Sequence, residues 1–76
     1  NPFTDYLTFK ILSDKEQKAD LRLYNAAGQE IFNQNQSLQR GHNEINTQLT
    51  TEYVGLIMYT WTIDNQVYSG TVARVN

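Results

Sequence analysis

Apolar and polar residues alternate along most of this chain with a period of two, the repeat of a strand with one face buried. Leu7, Phe9 and Ile11 alternate with Tyr6, Thr8 and Lys10. Leu21 and Leu23 share one face of a second strand, with Arg22 and Tyr24 on the other. The strongest strand is Gly55 to Ile63, where Ile57, Tyr59, Trp61 and Ile63 line one face and Leu56, Met58, Thr60 and Thr62 the other. β-formers on both faces predict a central strand covered on both sides at its start. Nowhere does a 3.6-residue period appear.

Turn chemistry separates these runs. Asn25 to Gly28 reads as a hairpin turn, since Asn hydrogen-bonds a tight bend and Gly takes positive φ at little steric cost. Glu30 to Gln36 then forms its second arm. Asp64-Asn65 reads as a two-residue hairpin. Leu38 to Gly41 marks another turn, leading to a short strand centred on Ile45. Pro2 and Phe3 start an extended entry segment, because Pro fixes φ and disfavours helix before it. Ser13 to Lys18, charged and without apolar spacing, is expected to be a solvated loop. Thr47 to Val54 is polar, and is expected to be a crossing connection held by Leu49 and Tyr53. In the last strand, Gln66 to Val75, the apolar phase is split: Val67 and Val75 share one parity, Tyr68, Gly70 and Val72 the other. A bulge at Ser69-Gly70 would reconcile them.

Six or seven short strands and no helix predict an all-β fold, a small immunoglobulin-like or fibronectin-like β-sandwich of about seven antiparallel strands. The 76 residues are expected to form a single domain, 1–76. A chain this short buries roughly 60% of its unfolded surface and depends on large core side chains. Aromatic residues make up 12% of it, and Tyr59 and Trp61 are expected to fill the core. With no cysteine, neither a disulfide frame nor a thiolate metal site is available.

Candidate chemistry is sparse. The formal net charge is −2 with the six basic residues scattered, so there is no basic stripe for nucleic acid. No apolar run approaches the ~20 residues of a membrane-crossing helix. His42 is the only histidine, too few for a zinc site, and Asp64 and Asn65 match no calcium loop. Ser13, Ser37 and Ser69 lack the glycine context of a nucleophile elbow. These readings predict no catalytic, metal or cofactor site and a protein that is not an enzyme. Two binding readings remain. Tyr59 and Trp61 on one strand would suit a carbohydrate-binding module if they stood on a flat exposed sheet. The final strand would suit capture by a partner through strand addition. An inert fibronectin-like spacer is the third reading.

The order and spacing of several segments carry a resemblance. They are Asn1-Pro2-Phe3 with Asp5, Leu7 and Phe9; Leu23-Tyr24-Asn25 to Gly28-Gln29-Glu30-Ile31; Gly41 to Ile45 with Leu49; and Gly70 to Val75. Together they resemble the C-terminal sorting domain, type A, of Bacteroidetes proteins exported by the type IX secretion system. The resemblance implies a secretion signal that directs an N-terminally fused cargo across the outer membrane, from the periplasm to the cell surface or the medium. It implies binding to proteins of the type IX machinery and removal by a sortase. Recognition is then expected at Gly70, Thr71, Val72, Ala73, Arg74 and Val75, and the cargo junction at Asn1 and Pro2.

Overall fold

The structure, a computed structural model, describes residues 2–3, 6–49 and 53–75. It is all-β: β1 (Pro2–Phe3), β2 (Tyr6–Ser13), β3 (Gln17–Tyr24), β4 (Glu30–Leu38), β5 (Gly41–Gln48), β6 (Gly55–Ile63) and β7 (Gln66–Arg74). One sheet has the order β1-β7-β6-β3-β4 and the other is the pair β2-β5. The six long strands pair antiparallel. The two-residue β1 departs from the antiparallel expectation, pairing parallel to β7 with Pro2 opposite Ala73 and Phe3 opposite Arg74.

The period-two pattern sets the layers. From the larger sheet Ala19, Leu21, Leu23, Ile57, Trp61 and Val72 turn inward and are buried. From the smaller sheet Leu7 and Ile45 meet them, with Leu38 and Leu49 completing the cluster. Phe9 ties the sheets together: its ring meets Tyr59 edge-on at 5.0 Å and Trp61 at 5.2 Å between centroids. Edge-to-face contacts of this kind contribute roughly 0.5–1.5 kcal/mol each beyond the area they bury.

The turns follow their residues. Asp64 and Asn65 have φ of 51° and 64°, the left-handed pair of a type I′ hairpin, whose twist suits the flanking strands. At Asn25–Gly28 the Gly28 N–H donates to the Asn25 carbonyl at 2.9 Å and the Asn25 N–H to the Gln29 carbonyl at 2.9 Å. Gly28 has φ of 84°, and the Asn25 side-chain oxygen accepts from the Ala27 and Gln29 N–H groups. This is a three-residue loop ending in a left-handed glycine. Beyond it, pairing shifts between Leu23/Phe32 and Tyr24/Glu30, leaving Ile31 as an extra residue in β4.

Four expectations need correction. The loop expected over Ser13–Lys18 is only Asp14–Glu16, because Ser13 is buried at the end of β2 and Gln17 already starts β3. There the Ser13 hydroxyl donates to the Lys15 carbonyl at 2.6 Å and accepts from Gln17 Nε2 at 2.8 Å, which tightens the corner between sheets. Strand β6 is central but not covered on both sides: Leu56 and Met58 are 57% and 42% exposed, since the smaller sheet packs on one face only. Strand β7 has no bulge. Its register with β6 runs unbroken from Gln66 opposite Ile63 to Arg74 opposite Gly55, so Val67 simply faces solvent. The crossing connection expected over Thr47–Val54 starts only after Gln48, because Thr47 and Gln48 still pair with Leu7 and Tyr6 in β5; its anchors Leu49 and Tyr53 are packed in or against the core, and its residues 50–52 lie outside the described residues.

Candidate recognition surface

The last strand sorts the expected recognition residues by parity. Gly70 and Val72 face inward, and Val72 is 6% exposed against the core. Gly70 lies opposite Tyr59, and an ideal Cβ there would sit 2.5 Å from Tyr59 Cζ and 2.7 Å from Cε2. No real Cβ tolerates that approach, so Gly70 is the space into which the Tyr59 ring lies. Gly70 thus makes a packing contact, and the glycine marks a close approach rather than a bulge.

Thr71 and Ala73 belong to the outer face. Three cross-strand rows run over it. Tyr24, Met58 and Thr71 form one; Leu56, Ala73 and the backbone of Pro2 form the next; Arg22, Thr60 and Ser69 form a third. Leu56 and Met58 are exposed, as are Val54 and Val75 just beyond the strand ends, at 45% and 44%. Arg74 is half-buried, and its Nη1 donates to the Tyr53 carbonyl at 3.4 Å. The end of the outer face that holds the start of β6 and the end of β7 is thus apolar and open. The expected junction residue Pro2 pairs beside Ala73 on this same end; Asn1 lies outside the described residues.

Towards the middle of the sheet the outer face becomes charged. Arg22 Nε donates to Asp20 Oδ2 at 2.8 Å, and Nη1 to Glu30 Oε1 at 3.1 Å. The hydrogen bond donated to Asp20, then the charges of Asp20 and Glu30, raise the guanidinium pKa further. The guanidinium is charged at any ordinary pH, so this cluster contributes fixed charge and no proton chemistry.

The inner face of β6 answers the carbohydrate reading. Trp61 is 3% exposed and Tyr59 lies half-buried against Phe9. That pair is in the sandwich interior, so it offers no flat stacking platform. Trp61 Nε1 is buried with no acceptor in the structure, and Trp61 also lines an open groove of about 760 Å³ with Ile11, Leu38, Ile63 and Tyr68. The groove exists because two strands are too few to cover five. Among the described residues there is no group of three or more His, Asp or Glu side chains placed to hold a metal. His42 is exposed on β5, and Asp64 makes a long contact of 3.5 Å with Lys15.

Comparison with protein families settles what kind of domain this is. The family model described as "Secretion system C-terminal sorting domain" matches residues 1–72. The chain belongs to that family. No curated protein and no solved structure gives a significant match. As a type IX sorting domain it serves as a secretion signal, and its family is a sorting-signal family rather than a catalytic one. The match spans the entry segment and most of β7, including Gly70 and Val72, the two residues that the structure gives packing roles. Of the recognition residues expected on β7, Gly70 and Val72 turn inward and Thr71 and Ala73 outward, where they share the outer face with the exposed Leu56 and Met58 of β6.

Proposed function

We propose that the sorting domain is read by the type IX machinery at the open apolar end of its larger sheet, where Thr71 and Ala73 of the last strand stand beside Met58 and Leu56, with Val54 and Val75 just beyond the strand ends. Gly70 and Val72 hold that strand in place from the inside, and Arg74 fastens its end to the Tyr53 carbonyl. The observation that carries the reading is the exposure of Leu56 and Met58 on the outer face, with Val54 and Val75 exposed just beyond the adjoining ends of β6 and β7. Clustered exposed apolar residues of this kind mark interaction surfaces.

The pairing of Pro2 with Ala73 supports a second element of the proposal. Cargo joined at Asn1 and Pro2 enters beside the recognition face, so one partner in the periplasm engages the face and its neighbour, a sortase, reaches the junction. Residues 1–76 act as one unit in this scheme and carry out no chemistry themselves.

Photo-crosslinking tests the placement. A photoreactive amino acid is introduced at Thr71, at Met58, and at His42 on the opposite layer, in a fusion expressed in a type IX-competent bacterium. Adducts with machinery proteins from Thr71 and Met58 but not from His42 are expected. Adducts from His42 alone would move recognition to the smaller sheet.

A further inference from the structure

The five-stranded sheet ends on one side at β4, which among the described residues pairs only with β3. Free edges present unpaired N–H and C=O groups, and proteins protect them with charges, proline, bulges or covering segments. Both strands of the smaller sheet carry such a device, and the end of β7 is covered. Lys10 lies within β2 and Glu44 within β5, and β1 pairs along the end of β7. Strand β4 carries almost none. From Ile31 to Gln39 there is no charged residue, proline or glycine, and its one irregularity sits at the Glu30–Ile31 end. The run Asn33-Gln34-Asn35-Gln36-Ser37 presents Asn33, Asn35 and Ser37 to solvent.

The geometry points to β4 as a self-association edge: two copies of the chain pair β4 against β4 antiparallel, joining their larger sheets into one. Self-pairing fits because the edge is complementary to itself. Amide side chains both donate and accept, so opposing Asn and Gln residues across a two-fold axis match without any like-charge contact. Gln34 and Gln36 already show this pairing within one strand, Gln34 Nε2 donating to Gln36 Oε1 at 3.1 Å. The edge lies on the far side of the sheet from β7, so a pair formed there leaves the proposed recognition face open.

Sedimentation equilibrium of the chain from micromolar to millimolar concentration tests this, alongside Asn35→Lys, Asn33→Lys and the control Gln48→Lys on β5, each checked for fold by circular dichroism. Concentration-dependent dimerisation is expected for the wild type and for Gln48→Lys, and its loss in both β4 variants. A wild type that stays monomeric throughout overturns the proposal. So does dimerisation that survives both β4 substitutions, or that Gln48→Lys abolishes equally.

Discussion

Substituting Gly70 by alanine isolates the contact on which the last strand depends. Gly70 is not in the positive-φ region, so alanine is acceptable to the backbone, and stiffening the unfolded chain would by itself stabilise by about 0.4–1 kcal/mol. Opposing this, the new methyl falls 2.5 Å from Tyr59 Cζ, and the ring cannot retreat freely because Phe9 packs edge-on against it at 5.0 Å. Forcing a methyl into a filled core costs about 1–3 kcal/mol. Midpoint against midpoint, the net loss is about 1.3 kcal/mol, against a total stability of about 4–11 kcal/mol for a chain of this size. With roughly 4–8 °C per kcal/mol in a small domain, thermal denaturation followed by circular dichroism should show a midpoint lower by about 5–10 °C. A Tyr59→Leu background removes the clashing atoms, so the Gly70→Ala penalty should shrink there by at least about 0.5 kcal/mol, the coupling expected of residues in contact. An unchanged or raised midpoint for Gly70→Ala, or an equal penalty in both backgrounds, would refute the packing role and return Gly70 to the list of recognition residues.

Other substitutions probe the remaining elements. Asn65→Val should destabilise by about 1–2 kcal/mol, because a β-branched residue resists the left-handed φ of 64°, whereas Asn65→Gly should be neutral or stabilising in urea titration. Val72→Ala, in the core at 6% exposure, should lower the urea midpoint measurably, whereas Thr71→Ala on the outer face should leave it within about 0.5 kcal/mol of wild type. Arg22→Ala removes two exposed ion pairs and should leave the thermal midpoint unchanged within reproducibility, with or without added salt. Trp61 fluorescence should be blue-shifted and poorly quenched by iodide, as its 3% exposure requires.

Much of this fold was legible because it is written locally. Asp64-Asn65 and Asn25 to Gly28 carry turn chemistry in their own residues, and the Ile57-Tyr59-Trp61-Ile63 face declares itself by alternation. What was illegible depends on layers rather than neighbours. Val67 and Val72 point to opposite faces, and sequence alone gives both parities of β7 an apolar claim; the decision comes from Tyr59, which requires a glycine opposite it and so fixes the phase without a bulge. Leu56 and Met58 look like core residues because they sit on the best strand, and only the narrowness of the two-stranded sheet, confined to the other face, leaves them exposed. For the same reason the outer face of β7 was half-legible: the sequence identifies the strand, while its neighbours Leu56 and Met58 from β6 emerge only in cross-strand register. The extra residue at Ile31 is invisible to alternation, since Ile31 and Phe32 satisfy either phase.

The export of a reporter tests the central claim most directly. A periplasmic reporter fused ahead of residues 1–76 is compared with the same fusion carrying Leu56→Asp, Met58→Asp and Thr71→Asp, after circular dichroism has shown that the altered domain keeps its β structure. The wild-type fusion should appear outside the cell and the folded triple variant should remain in the periplasm. Equal export of both would contradict recognition at the outer face of β6 and β7.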